Sequence, residues 1–138
     1  RVVFPVVHNG TTVDATGRSL GKRLPKWKRY GNSHLPYAYG RGRTAVVVED
    51  CISAAVIGDG GVYVGVAVLG TSLSDGHKRY LSQFSTVIIA LDPDALQKTL
   101  LFAREMRTYV DTVKVMYLRD DLKYRNPTDL NNLTTLGE

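Results

Sequence analysis

Three acidic residues stand where a sheet would deliver them to one place. Glu49 directly follows the apolar run Ala45-Val46-Val47-Val48, Asp92 directly follows Thr86-Val87-Ile88-Ile89-Ala90-Leu91, and Asp94 comes two residues later. If the two runs are neighbouring parallel strands, the three carboxylates converge at the carboxyl ends, where open α/β sheets place their binding crevice. Crowded carboxylates raise one another's pKa unless a cation joins them. An all-oxygen donor set suits Mg2+ or Mn2+ rather than zinc. A second reading stays open at Asp92, which could cap a helix beginning with Pro93 at its first position.

The elements that would carry these residues alternate. The strand ending at Val48 is followed by a helix over residues 51–57, a strand over 62–68, a helix over 75–84, the strand over 86–91, a long helix from Pro93 to Tyr109 and a strand over 112–117. In the long helix Leu96, Leu100, Leu101 and Ala103 are spaced for one face. Apolar strands alternating with helices imply a mostly parallel sheet covered on both faces, and a 2-1-3-4 order makes the first and third strands neighbours. From Asp120 onward the chain is polar and turn-rich. Ahead of the sheet, Val2–Val7 and Thr11–Ala15 flank Asn9-Gly10, a hairpin signal. Residues 17–43 are rich in Gly, Pro, Lys, Arg and aromatic side chains and predict an irregular connector.

Charge divides along the same boundary. Residues 1–43 hold nine Lys and Arg against Asp14 alone, whereas residues 44–138 hold nine basic and twelve acidic side chains. A basic piece joined to an acidic one suits a polyanion on one side and cations on the other. At 138 residues the chain fits one domain with a small appended subdomain. No run approaches the length of a membrane span. Cys51 is a lone cysteine, and His8, His34 and His77 lack zinc-finger spacing, which fits a reducing, cytoplasmic compartment. His77 has no identifiable carboxylate or serine partner and is expected to be structural or exposed. A start at Arg1 suggests a piece of a longer polypeptide.

Several segments in order resemble the Toprim domain of bacterial and phage DNA primases. Glu49 after its strand, with Ser53-Ala54-Ala55 in the helix that follows, is similar to the first Toprim motif, and Asp92-Pro93-Asp94 is similar to the second, the Asp-x-Asp pair. The run Val66–Leu73, with Gly70-Thr71 inside it, resembles the strand-then-Gly-Thr segment of primases. Gly17-Arg18, Pro25-Lys26-Trp27 and Asn32-Ser33 resemble the basic subdomain that precedes Toprim there. Asn126-Pro127-Thr128-Asp129-Leu130 resembles the acidic Asp-Pro segment after the fourth strand. The chain departs from the pattern at Asp50, where Gly is usual, at Leu96-Gln97, where Ala-Gly is usual, and at Asn126, which removes one possible metal ligand.

The resemblance implies a Toprim-like (Rossmann-like) α/β fold: a four-stranded, mostly parallel sheet with helices on both faces, preceded by a small basic β-containing subdomain. The expected division is 1–43 for that subdomain and 44–138 for the Toprim domain with a polar tail. The implied activity is Mg2+-dependent synthesis of short RNA primers on single-stranded DNA. Glu49, Asp92 and Asp94 would serve as catalytic and metal-holding groups, and Arg18, Lys26, Gly70 and Lys98 as contacts to nucleotide or DNA. Implied partners are the template strand, ribonucleoside triphosphates, a replicative helicase and a zinc-binding domain outside this segment, in the cytoplasm of a bacterial or phage-infected cell. Two other functions fit the same residues: a Toprim nuclease, and a nucleic-acid-binding or replisome module that has lost turnover.

Overall fold

In the computed structural model, which describes residues 1–31, 33–68 and 72–137, the chain forms two sheets. The first has the order β1-β2-β3, built from β1 (Val2–His8), β2 (Thr11–Arg18) and β3 (Trp27–Arg29), all antiparallel. The β1–β2 turn is the predicted Asn9-Gly10 pair, with φ of 51° and 77°. Positive φ at both positions lets the turn follow the right-handed twist of its strands.

The second sheet has five strands in the order β4-β6-β5-β7-β8: β4 (Tyr37–Gly40), β5 (Thr44–Val48), β6 (Val64–Ala67), β7 (Thr86–Ile89) and β8 (Thr112–Val115). Its four parallel strands follow the expected 2-1-3-4 order. The fifth strand, β4, pairs antiparallel with β6 from within the segment expected to be an irregular connector. A short edge strand of Tyr-Ala-Tyr-Gly leaves no run of apolar residues to announce it. β3 likewise emerges from that segment because its backbone completes the hairpin sheet.

Successive residues of β5 face opposite sides of the sheet. Val46 and Val48 enter one core with Ile88 and residues of α1 (Cys51–Asp59) and α4 (Pro127–Gly137). Ala45 and Val47 enter the other with Val87, Ile89 and residues of α2 (Asp75–Leu81) and α3 (Leu96–Met106). Helices therefore cover both faces. Val6, with Phe4 and Trp27 packed beside it, joins the first of these cores and attaches the hairpin sheet to it. Gly58 lets α1 lie directly on β4, since a Cβ there would collide with the Tyr39 carbonyl.

Two helical expectations change. α3 begins at Leu96 rather than Pro93, and its buried residues are Thr99, Phe102, Ala103 and Met106. Leu96 and Leu100 are each 49% exposed, so of the residues expected on the buried face only Ala103 is fully enclosed. The later start rotates the inward stripe. Beyond Asp120 the chain forms a 3-10 turn over Leu122–Tyr124 and then α4. Leu130, Leu133 and Leu136 of α4 pack on the first core. Asp129, fully buried, accepts from the backbone amides of Arg119 and Asp120 at 3.0–3.1 Å. Among the described residues no helix is long and apolar enough to cross a membrane.

Candidate active site

The parallel pairing of β5 with β7 carries Glu49 and Asp92 to the same edge. Glu49 is met there by Lys98 of α3, Nζ to Oε2 at 3.1 Å, with both side chains half-buried. Lys98 also lies 5.6 Å from the centre of the Phe102 ring, which steadies its stem. Asp50, the departure from the usual glycine, caps α1: its Oδ1 accepts from the Ser53 amide at 2.8 Å. This satisfies one of the unpaired first-turn amides of the helix.

Asp92 caps nothing. The residue preceding α3 is Ala95, and no side chain caps that helix. The reading of Asp92 as a helix cap therefore fails, and its carboxyl group is left to its neighbours. Burial, then a hydrogen bond and charge repulsion from Asp121, then the charges of Glu49 and Asp50, push its pKa up to about 7. Asp121 is the acidic partner that sequence reasoning missed. Its signal was the Asp120-Asp121 pair after β8, but only the fold brings that pair back to β7.

Lys123 partly balances this edge, with Nζ 3.3 Å from Asp121 Oδ2 and 3.7 Å from Asp50 Oδ2. Burial works against its charge, yet the two carboxylates hold its ammonium above the usual lysine range. Asp94 lies exposed in the turn before α3 and does not figure among the groups acting on Asp92. Among the described residues no three His, Cys, Asp or Glu side chains already stand close enough to hold one metal ion. The donor chemistry nevertheless suits a hard cation. Burial and the neighbouring carboxylates favour the protonated form of Asp92, and a divalent ion could displace that proton.

Beside this edge opens a cleft of about 450 Å³, lined by Thr16, Trp27 and Arg29 of the hairpin sheet, by Glu49, Asp50 and Cys51, and by His77 among others. Arg29 is fixed by Asp14: Nε donates to Oδ2 at 2.8 Å, and Nη2 donates to Ser33 Oγ at 3.0 Å. Burial opposes the Asp14 ion, but Arg29, Ser33 and the Ala15 amide together hold its carboxyl well below the usual carboxylate range. His77 is structural and 4% exposed: its Nδ1 accepts from the Ser74 amide at 3.1 Å, completing the cap of α2. Burial, then the charges of Arg29 and His34, push its pKa down to about 4.

Of the expected nucleic-acid contacts, Arg18 stacks over Trp27 at 5.6 Å and donates to the Ser19 carbonyl at 3.0 Å. Lys26 is exposed on the loop before β3. Lys98 is engaged with Glu49 as described. Gly70 lies outside the described residues. Asn126, where the resemblance led to an acid, caps α4 through its Oδ1, which accepts from the Thr128 amide at 3.0 Å.

No family model matches the chain. A DNA primase of Geobacillus stearothermophilus is 32% identical over an alignment of 111 positions that covers 68% of this chain and 18% of that protein. The Aquifex aeolicus primase, with its zinc-binding and RNA polymerase domains, superposes with a TM-score of 0.75 at 23% identity, over 99% of this chain and 39% of that one. A DnaG primase catalytic domain bound to ssDNA superposes with a TM-score of 0.70 at 22% identity, over 99% of this chain and 50% of that one. The chain thus spans about a fifth of the curated relative and half or less of these structures. Structural likeness at such identities carries the fold and the sequence relative carries the kinship, so the chain belongs to the Toprim-domain DNA primases.

Proposed function

We propose that this chain is the core of a primase that joins ribonucleotides on a single-stranded DNA template, with residues 1–43 acting as its basic subdomain and 44–138 as its Toprim domain, whose sheet takes β4 from the end of the first segment. The observation that carries the reading is the acidic sheet edge, where Glu49 and Asp50 line one cleft with Arg29 of the hairpin sheet and Asp92 stands at the end of the neighbouring strand. Glu49, Asp92 and Asp94 would hold Mg2+ or Mn2+, and Asp121 would add the carboxylate that Asn126 cannot. The bound ion would supply charge neutralisation for the triphosphate and favour ionisation of the primer 3′-hydroxyl.

The chain's own side chains do the rest. If Glu49 holds a cation, Lys98, now its partner, would be available as a donor to a phosphate oxygen. Arg18, already oriented by Trp27, and Lys26, free in solvent, would hold the template backbone or the nucleotide phosphates. Two DnaG-type relatives support the partners: one structure is of a primase domain bound to ssDNA, the other includes a zinc-binding domain. A replicative helicase and the cytoplasm of a bacterial or phage-infected cell belong to the same proposal.

The test is Mg2+-dependent oligoribonucleotide synthesis on single-stranded DNA, with a zinc-binding portion supplied. Synthesis supports the primase reading. Cleavage of the template under those conditions points to a nuclease instead, and binding without turnover to a replisome module. The excess of Lys and Arg over residues 1–43 favours the first, since exposed cations such as Lys22, Arg23, Lys26 and Lys28 are suited to holding a template while a nucleotide is added.

A further inference from the structure

We propose that Lys123 is a resident cation of the acidic edge: its ammonium stands between Asp50 and Asp121, so that this edge takes one divalent ion and not two. The inference rests on the primase reading only for the presence of a divalent ion there, and it makes Lys123 a positioning residue rather than one of the reacting groups.

Two lysines meet the carboxylates of this edge, and they are held differently. Lys98 reaches Glu49 from α3 through a single ion pair at 3.1 Å. Lys123 is fixed at both ends. Its backbone amide donates to Ser53 Oγ, in the first turn of α1, at 3.2 Å. Its Nζ lies 3.3 Å from Asp121 Oδ2 and 3.7 Å from Asp50 Oδ2. Leu122 beside it is buried in the first core, which anchors the turn that carries the ammonium. Swinging Lys98 away breaks one ion pair, whereas swinging Lys123 away breaks two and leaves both carboxylates without the cation they share.

The partners of Lys123 are fixed as well. Asp50 Oδ1 accepts from the Ser53 amide at 2.8 Å, and its Oδ2 accepts from the Ser53 hydroxyl at 3.3 Å. Asp121 follows two residues, Arg119 and Asp120, whose amides donate to the buried carboxylate of Asp129. Two carboxylates held in this way repel each other unless a cation stands between them. A tethered ammonium meets that need at a high effective concentration.

The same geometry limits the ions that can enter. The charges of Glu49, Asp50 and Asp121 all act on Asp92, so the four acids form one electrostatic group. An ion that takes Glu49 from Lys98 has Asp92 and Asp121 beside it. Two-metal centres set their ions about 3.5–4 Å apart, a spacing that a bridging carboxylate makes possible. Asp121, which meets Asp92 on one side and Lys123 on the other, is the acid placed to bridge, and its Oδ2 is already taken by the ammonium. A second ion would have to displace Lys123 and then draw on Asp50, both of whose oxygens are engaged by Ser53.

The experiment counts ions on the full chain with Mn2+ alone, in salt that screens loose surface association. Equilibrium dialysis should give one Mn2+ per chain, with an EPR spectrum free of the exchange coupling that two neighbouring ions produce. Lys123→Met, which keeps a long apolar stem without the charge, should bind a second Mn2+ and show the coupling. Lys123→Arg should bind one, like the parent. Adding Asp50→Asn to Lys123→Met should return the count to one, because the second ion needs both carboxylates. A lysine with only a structural role would move none of these counts.

The proposal is overturned if the parent binds two ions or none, or if Lys123→Met folds and still binds one. Should Lys123→Met fail to fold, the counts for the parent and Lys123→Arg decide. Primer synthesis, measured separately, keeps the two readings apart. Two ions with synthesis would reject the role of Lys123 alone, and one ion without synthesis would reject the primase reading while Lys123 keeps its place.

Discussion

Lys98 Nζ lies 3.1 Å from Glu49 Oε2, so an ammonium from α3 occupies the carboxylate that ends β5. The pair neutralises one acid of the edge and leaves Asp92 and Asp121 to share the remaining repulsion. Glu49 would therefore have to exchange one cation for another when a metal arrives.

Glu49→Gln should lower primer synthesis about a hundredfold or more, because the amide keeps volume and one acceptor but loses the charge that binds a cation. Repulsion among bare carboxylates alone would make this variant more stable than the parent. The ion pair with Lys98 offsets that gain, and a pair still reached by solvent is worth about 0–1 kcal/mol. Thermal melting should accordingly move little, and a large drop would mean that Glu49 is structural.

Asp92 and His77 should pull the pH dependence of stability in opposite directions. The Asp92 pKa is about 7 against 3.8 for an ordinary carboxyl, so the folded state holds a proton the unfolded chain has lost, and stability falls as pH rises through that window. The His77 pKa is about 4 against 6.5, so the unfolded chain takes up protons first, and stability falls as pH drops below 6.5. Asp92→Asn removes the first effect. In EDTA it should be more stable than the parent at pH 8, by about 1 kcal/mol after allowing for solvent screening. It should also lose stability more steeply on acidification. Calorimetry should show its Mn2+ affinity reduced about tenfold or more, and equal affinity would remove Asp92 from the metal site.

Asp14→Asn should destabilise the fold by about 3 kcal/mol, since it strands the Arg29 guanidinium beside a buried partner that can no longer balance it. Because the Asp14 carboxyl is held below its ordinary range, its contribution is present above pH 3.8 and lost as pH falls through the folded value. Chemical denaturation at pH 7 measures the loss directly. A change under about 1 kcal/mol would show the pair to be solvent-screened.

Neutralising Lys22, Arg23, Lys26 and Lys28 together should flatten the salt dependence of single-stranded DNA binding. These four are exposed, whereas Arg29 in the same run is bound to Asp14 and is left in place. Each lost phosphate contact should reduce the slope of log affinity against log salt by about 0.7. An unaltered slope would put the DNA on another face.

Much of this architecture was legible because the strands announce themselves. Ala45–Val48 and Thr86–Leu91 are unbroken apolar runs, as strands buried on both faces must be, and Asn9-Gly10 names its own turn. β4 was not legible, since Tyr37–Gly40 pairs through its backbone at a sheet edge and needs no apolar run. The inward face of α3 was misjudged because Asp92–Ala95 forms a turn rather than the first helical turn, which shifts the register by which Leu96 and Leu100 were placed. Glu49 and Asp92 could be found at strand ends, but Asp121 could not. Its meeting with Asp92 depends on how the chain returns after β8, a relation of tertiary structure with no local signature.

The strand order β4-β6-β5 has a consequence for how the molecule assembles. β4 and β5 are joined by three residues yet do not pair, because β6, made later, lies between them. Until Val64–Ala67 has been synthesised and inserted, β4 has no partner strand in the five-stranded sheet, and the surface on which the hairpin sheet packs is incomplete. During translation the cleft is thus set by a strand that contributes none of the residues named in its wall. A substitution that weakens β6 should delay formation of the site while leaving its chemistry, once formed, unchanged.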